Sequence, residues 1–234
     1  MLILGIDTSG KHGSVALLRA TADELLTLEF VPLAGGQYSE LLVPSIAGML
    51  ERQGAERSSL GLIGVASGPG SFTGLRVAIA TVKGLAEAFS TPVVAVSVLE
   101  AVAIAGPVEG RVIAALDAQR SEVFFGEYLV QGSEANPAKA THESLANFDG
   151  FTAALATIHA EKVLTPDETI ITRLHDVGIE SHSLPRPNAE AYARIAHRKF
   201  CAGIHADVAT LDANYLRRSD AEIFCAPKIG ITPA

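Results

Sequence analysis

Two stretches of the sequence carry residue types that can bind a phosphate or a metal ion. Asp7-Thr8-Ser9 follows an apolar run, and its carboxylate has the chemistry to coordinate Mg²⁺ or to orient a water beside a phosphate. The alternative, which we favour on the residues alone, is that these side chains bond only to their own turn. The second stretch, 67–74, contains Gly68, Gly70 and Ser71. It fits either an anion site at a helix start or a rigid corner that aims the helix.

The glycine-rich stretch lacks the residues that define common phosphate loops. A Walker A loop has lysine and Ser or Thr directly after its last glycine, but Leu75-Arg76 follow Gly74 here. The dinucleotide fingerprint needs a third glycine where Thr73 stands. Arg76 and Lys83 are therefore predicted to contact solvent or a partner.

Elsewhere the sequence offers no recognisable metal site or catalytic centre. No two histidines lie four residues apart, so a zinc-protease helix is excluded. Cys201 and Cys225 have no metal-binding spacing, and Ser71 has no nucleophile-elbow context. We therefore expect no catalytic residue, no metal and no cofactor.

Composition narrows the class of protein. Of the 234 residues, 48% are apolar and 19% are charged, which is typical of an ordered globular chain. The formal charge of −8 disfavours direct binding of nucleic acid. Only two cysteines, no apolar run of about 20 residues and a strand-like start predict a cytoplasmic protein without a disulfide framework, membrane span or signal peptide.

The order of predicted elements repeats once along the chain. An apolar run ends on an aspartate, a turn follows, and a second strand begins, at Asp7 and again at Asp117. This predicts an α/β protein of actin-like ATPase (ribonuclease H-like) fold, with two lobes that are each built on a β-β-β-α-β-α unit. The second turn, Asp117-Ala118-Gln119-Arg120, lacks glycine, which weakens the case for a nucleotide between the lobes. Predicted strands cover 2–6, 14–18, 25–31, 60–66, 93–96, 112–116 and 123–130; predicted helices cover 38–52, 73–89, 99–105, 144–159 and 189–203.

Glycine and proline mark the boundary between the lobes, at Gly106-Pro107 and Gly110. We expect an N-terminal lobe over 1–106 that carries the interactions, and a C-terminal lobe over 107–205. The tail over 206–234 is expected to pack back on the N-terminal lobe. Residues 160–187 show no clear pattern.

Two helical patterns in the first lobe, at 38–52 and 73–89, carry apolar residues at helical spacing. The usual interpretation is core packing on their own sheet. The alternative is a surface for another protein, since small residues in the second helix permit close helix approach. The interface residues considered are Leu41, Leu42, Ile46, Met49, Leu75, Arg76, Ile79, Val82 and Lys83.

Several motifs in the expected order resemble the TsaB family of tRNA threonylcarbamoyladenosine biosynthesis proteins. They run across nearly the whole chain and are densest before residue 105. The most specific is the ten-residue stretch from Ser67 to Arg76. The others are Ile6-Asp7-Thr8-Ser9, Lys83-Gly84-Leu85-Ala86, Val96-Ser97-Val98-Leu99-Glu100-Ala101, Asp117-Ala118-Gln119-Arg120, Glu122-Val123 and Asn214-Tyr215-Leu216-Arg217.

The resemblance implies a non-catalytic subunit that binds and activates TsaD, the larger catalytic paralogue. TsaD transfers threonylcarbamoyl to the adenosine beside the anticodon of certain tRNAs. The implied partners are a TsaD-like protein, a TsaE-like ATPase, and a second copy when the chain is alone. tRNA would be contacted only through the complex.

One local comparison bears on catalysis. TsaD-like chains carry two metal-binding histidines where this sequence has Val98 and Val102, and valine has no lone pair to offer. This argues against a metallopeptidase as well. The remaining alternative is an actin-like ATPase or kinase that uses Asp7 and Asp117. One departure from the family is Tyr38, which stands where a histidine is common.

Overall fold

Each half of the chain builds one five-stranded sheet. The computed structural model describes residues 1–107, 110–130, 139–158 and 162–217. The first half contains β1 (Leu2–Asp7), β2 (Gly13–Ala20), β3 (Leu25–Leu33), α1 (Tyr38–Arg52), a 3₁₀ turn (Arg57–Ser59), β4 (Leu60–Gly68), α2 (Phe72–Phe89), β5 (Val93–Ser97) and α3 (Val98–Ala105). The second half contains β6 (Gly110–Asp117), β7 (Glu122–Val130), β8 (Lys139–Asn147), α4 (Phe148–Ile158), β9 (Val163–Thr165), α5 (Glu168–Asp176), β10 (Ser181–Ser183) and α6 (Ala189–Cys201).

The two sheets have the same topology. The first has the order β3-β2-β1-β4-β5 and the second the order β8-β7-β6-β9-β10. In each, the first three strands are antiparallel and the last two add in parallel. This duplication is the actin-like, ribonuclease H-like fold, so the predicted fold class is confirmed. Each unit continues the predicted β-β-β-α-β-α order by one more strand and helix.

The elements stack in five layers with helices on both faces of each sheet. Helices α1 and α2 cover the outer face of the first sheet, and α4 and α5 cover the outer face of the second. Helices α3 and α6 lie between the sheets in a shared core. Helix α6 comes from the second half but packs on the first sheet, whereas α3 comes from the first half and packs mainly on the second. The domain boundary near residue 106 stays a prediction. Each of the two middle helices, α3 and α6, packs on the sheet that the other half of the chain forms.

Side-chain caps and one glycine fix where the helices begin and how closely they pack. Ser71, Ser97 and Asn188 cap α2, α3 and α6 by accepting backbone N–H groups of the first turn. A Cβ on Gly5 of β1 would lie 2.0 Å from the backbone oxygen of Ala189, so glycine is required for this approach of α6.

The prediction for the second half was wrong at one helix start and incomplete beyond it. Residues 144–147 were expected to be helical, but they belong to β8, where Ser144 pairs with Phe125 of β7. The unassigned stretch 160–187 supplies β9, α5 and β10. Cys225, the end of the predicted tail and the helix end expected at 159 lie outside the described residues. Within the described ranges, no helix combines the length and apolarity needed to cross a membrane.

Candidate functional site

A cleft of about 1130 Å³ opens between the two halves of the chain. One wall is formed by the loop after β1 and by the glycine-rich stretch at the start of α2. The other wall is formed by the turn after β6, by Asp167 and Arg186, and by the chain at 214–217. The two sequence stretches singled out for phosphate chemistry therefore meet here, because parallel strands deliver their carboxyl ends to one sheet edge.

Asp7 lies beneath this cleft and bonds to its own turn. Its Oδ1 accepts hydrogen bonds from the backbone nitrogen of Ser9 at 2.9 Å and from the Ser9 hydroxyl at 2.7 Å. The side chain is 3% exposed. Burial raises the pKa of the Asp7 carboxyl, and the bonds from Ser9 and the nearby guanidinium of Arg186 lower it in part. The hydrogen bonds of this carboxylate are therefore made within its own turn, as in the interpretation favoured from the residues alone.

The glycine-rich stretch packs directly on the loop after β1. The backbone nitrogen of Ser71 donates to the Ser9 oxygen at 2.7 Å, and the Thr8 hydroxyl donates to the Gly74 oxygen at 2.7 Å. A Cβ on Gly70 would lie 2.2 Å from the Ser9 oxygen, and one on Gly74 would lie 2.0 Å from the Thr8 oxygen. The glycines thus permit backbone contact between two loops. Since an N–H group that an anion would need is already bonded, this is the geometry of a rigid corner.

The remaining residue of the possible nucleotide set, Gly68, ends β4. Its φ is +114°, a backbone conformation that side chains rarely permit. A Cβ there would lie 2.8 Å from the backbone oxygen of Asn214. Gly68 therefore serves the packing of the 206–217 segment behind the corner, while Gly70 and Ser71 line the cleft.

Asp117 forms the equivalent turn on the opposite wall. Its Oδ1 accepts the backbone nitrogen of Gln119 at 2.8 Å, and its Oδ2 accepts the Thr169 hydroxyl at 3.4 Å. Its own backbone nitrogen donates to Oδ2 of Asp167 at 2.8 Å. Asp117 is half-buried, so this carboxylate is the more accessible of the two.

Arg186 joins the two walls, and no sequence motif points to it. Its guanidinium forms an ion pair with Asp167 at 3.4 Å. Its Nε would lie 3.2 Å from a Cβ on Gly10, so the side chain covers the loop of the first half. Nearby, the hydroxyl of Tyr192 is buried without a hydrogen-bond partner among the described residues. The only sequence signal for either was proximity to the Asn188 cap of α6.

Tyr38, the departure from the family pattern, anchors the loop beneath the cleft. It begins α1, is buried, and its hydroxyl donates to the Gly10 oxygen at 2.8 Å. A Cβ on Gly13 would lie 2.6 Å from the tyrosine ring. Tyr38 therefore holds the far end of the same loop that the glycine corner holds at Ser9.

Most residues of the predicted partner surface are buried in the chain's own core, which corrects that expectation. The apolar stripes of α1 and α2 face the first sheet because burial there removes their side chains from water. Leu41 is half-buried, and Arg76 and Lys83 bond to the 206–217 segment. The six core residues, each at most 6% exposed, are Leu42, Ile46, Met49, Leu75, Ile79 and Val82.

The two valines at the positions where TsaD-like chains carry metal-binding histidines are also buried. Val98 and Val102 of α3 are 0% exposed and lie in the core between the sheets. In the ranges that the structure describes, no cluster of three His, Cys, Asp or Glu residues is placed to hold a metal ion.

The duplicated sheets and the cleft between them define a protein of the actin-like class. A family model described as "TsaD: tRNA N6-adenosine threonylcarbamoyltransferase" matches residues 31–223. The chain belongs to this family.

Its relatives confirm the resemblance to TsaB proteins inferred from the motifs. The TsaB of Bacillus subtilis (strain 168) is 28% identical over 95% of this chain and 96% of its own length. The TsaB of Escherichia coli (strain K12) is 33% identical over 55% of each chain.

Solved structures agree in fold over nearly the whole molecule. YeaZ from Pseudomonas aeruginosa superposes with a TM-score of 0.69 at 25% identity, covering 92% of this chain and 99% of the other. A second Pseudomonas aeruginosa structure, described as an uncharacterized protein with similarity to peptidase YEAZ, gives a TM-score of 0.73 at 26% identity over the same shares.

Proposed function

We propose that this chain is a non-catalytic subunit in the biosynthesis of threonylcarbamoyladenosine in tRNA, and that it binds and activates a TsaD-like catalytic paralogue. The observation that carries the proposal is the similarity to TsaB over 95% of the chain. The sealed Val98 and Val102 support the non-catalytic role, since the positions compared with metal ligands are apolar and inaccessible. The same proposal includes a TsaE-like ATPase, contact with tRNA through the complex only, and a cytoplasmic location.

Docking is proposed on the outward faces of α1 and α2, not on their buried stripes. Val43 is 53% exposed on α1, and Arg76 is exposed on α2. A homodimer of the isolated chain is proposed to use the same faces. Small residues on the outer side of α2, such as Ala80 and Gly84, permit another helix to approach closely.

The activity is tested by reconstituting tRNA modification from purified components. With the catalytic paralogue, the ATPase, tRNA and threonylcarbamoyl-adenylate, we expect product only when this chain is added. Full activity in its absence would overturn the proposal. Equal stimulation by a heat-inactivated sample of the chain would do the same.

The docking face is tested by two aspartate substitutions on one helix. Val43→Asp changes an exposed side chain, so circular dichroism should be unchanged while binding to the paralogue is lost. Ile46→Asp places a charge in the core and should unfold the chain, as burial of an unpaired charge costs several kcal/mol. Val177→Asp, at a residue 55% exposed on the second half, is the matched control and should keep both fold and binding. Normal binding by folded Val43→Asp would contradict this placement.

A nucleotide between the halves is the second candidate, in an ATPase or kinase role. The cleft favours it, because its volume suits a nucleotide and Ser9, Gly70 and Ser71 line it. Asp7 and Thr8 oppose it, since both are buried beneath the corner. Calorimetry with ATP and Mg²⁺ on the isolated chain decides the matter, and an absence of binding heat removes this candidate.

A further inference from the structure

Residues 206–217, which we call the strap, follow α6 and return across the first half. The backbone nitrogen of Ala206 donates to the Val93 oxygen of β5 at 2.8 Å, and that of Asn214 donates to the Ser67 oxygen of β4 at 2.6 Å. Between them, Leu211 and Ala213 are buried in the core of α1 and α2. The strap is therefore seated by backbone bonds near both ends and by apolar contacts in the middle.

The outward side of α2 holds the strap through two cations, Arg76 and Lys83. Lys83 Nζ donates to the Ala209 oxygen at 3.3 Å, and Arg76 Nε donates to the Tyr215 hydroxyl at 3.3 Å. The Tyr215 ring lies 5.0 Å from that of Phe72, and the Arg76 guanidinium carbon lies 3.7 Å from the Phe72 centroid. Tyr215 remains 36% exposed. A protein that docks on α2 therefore meets this cluster of Phe72, Arg76 and Tyr215.

Asn214, which precedes Tyr215 in the strap, contacts the second half of the molecule. Asn214 Nδ2 donates to Oε2 of Glu143 in β8 at 2.5 Å. The other oxygen of Glu143 accepts the Ser97 hydroxyl at 2.5 Å and the hydroxyl of Tyr128 in β7. Arg217 continues the contact by an ion pair with Glu122, which directly follows the left-handed turn at 119–121 beside the cleft. One short segment thus touches the exposed face of α2 and the strands behind the opposite cleft wall.

We infer that the strap couples the outward face of α2 to β7 and β8 of the second half, with Tyr215 as the input and the Asn214–Glu143 bond as the link. In this coupling the strap has two arrangements: it is either packed on Phe72 and Arg76 or released from them. The role of the partner rests on the proposed function, but the coupling is a property of the chain alone. Release of Tyr215 loosens Asn214, which leaves Glu143 with fewer donors and frees the edge strand β8.

The first experiment uses the isolated chain and measures amide hydrogen exchange. Tyr215→Ala should raise exchange in the strap and also, by about threefold or more, in 122–126 and 142–147. In the Asn214→Ala background, the same substitution should affect the strap only. Phe30→Ala, which truncates an aromatic side chain 41% exposed on β3, is the control and should leave both β-segments unchanged. A Tyr215→Ala response confined to 206–217 would overturn the coupling.

The second experiment adds the catalytic paralogue. In the wild-type chain, binding should alter exchange at 122–126 and 142–147, whereas Asn214→Ala should bind the paralogue without that response. An unchanged response in Asn214→Ala would overturn the link. Failure of the wild-type chain to bind at all would instead overturn the proposed function, while the first experiment still decides the coupling.

Discussion

The aspartate turns after β1 and β6 use the same local bonding in opposite surroundings. In each, Oδ1 of the aspartate accepts the backbone nitrogen two residues later, from Ser9 at 2.9 Å and from Gln119 at 2.8 Å. This short-range bond depends only on the aspartate and its turn, so both copies of the repeat keep it.

The loop that faces each turn makes the difference. The glycine corner packs on the turn of Asp7 and leaves its carboxylate 3% exposed, whereas Asp117 is half-buried at the cleft wall. The second turn has no glycine and passes through the left-handed region at Gln119, Arg120 and Ser121, with φ values of 62°, 54° and 60°. Such a conformation costs a non-glycine residue roughly 1–2 kcal/mol. A duplicated turn can thus be sealed in one copy and open in the other, according to the residues opposite it.

The largest effect is expected from a substitution that forces the glycine corner at the start of α2 away from the turn of Asp7. Gly74→Ala places a Cβ 2.0 Å from the Thr8 backbone oxygen, which has little freedom to move. We expect a loss of about 3 kcal/mol or more in the free energy of unfolding, measured by urea denaturation. Gly84→Ala, in the same helix with nothing within 4 Å of the new Cβ, should be neutral or stabilising by up to about 1 kcal/mol. Equal stability of the two variants would contradict the packing argument.

The two aspartate turns should also differ in how their contribution to stability depends on pH. Burial raises the pKa of Asp7 above its ordinary value of 3.8, so the folded chain holds this proton at pH values where the unfolded chain has lost it. Stability from this group is therefore greatest below about pH 4 and falls as pH rises toward the folded-state pKa. Asp7→Asn cannot titrate, and its stability relative to wild type should improve as pH rises from about pH 4 through the folded-state pKa, by about 1.4 kcal/mol per unit of pKa difference.

The matching variant for this test is Asp117→Asn on the second turn. It alters a half-buried side chain, and we expect a change of about 1 kcal/mol or less in unfolding free energy. Denaturant midpoints measured across the pH range give both curves. A parallel pH dependence for wild type and Asp7→Asn would show that Asp7 is not the buried titrating group.

The smallest effect is expected at Arg186, which spans the cleft between the turns. Its ion pair with Asp167 is partly exposed, with side-chain exposures of 38% and 21%, so Arg186→Ala should cost about 0.5 kcal/mol. Because the guanidinium lowers the pKa of Asp7, its removal should enlarge the total loss of stability as pH rises and extend that loss to higher pH. Arg111→Ala, which removes a surface pair with Glu127, is the control and should leave the size of that loss unchanged.

Local patterns predicted the first half well. The helical spacing over 38–52 gave α1 with its observed bounds, and the apolar run before the glycines gave β4. These elements follow from periodicity, and the Ser71 side chain caps the start of α2.

Features that depend on contacts between distant residues were missed. β9 and β10 have three residues each, too few for a period to be recognised. Residues 144–147 belong to β8 through pairing with distant residues of β7, which the local sequence pattern does not reveal. Arg186 lines the cleft and Tyr192 is buried in the core between the sheets, because α6 and the residues before it pack on the sheet of the other half. The apolar faces of α1 and α2 could not be assigned from sequence to the core or to a partner interface, because both environments favour the same apolar side chains.

The crossing of α6 onto the first sheet constrains how the nascent chain can fold. The first sheet is fully synthesised at Ser97, but the helix that covers its inner face begins at Ala189. At roughly 5–20 residues per second, a ribosome needs about 5–20 s for the intervening segment. During that interval an apolar sheet face stays without its native cover, and the first half must be shielded by other means until α6 has been synthesised.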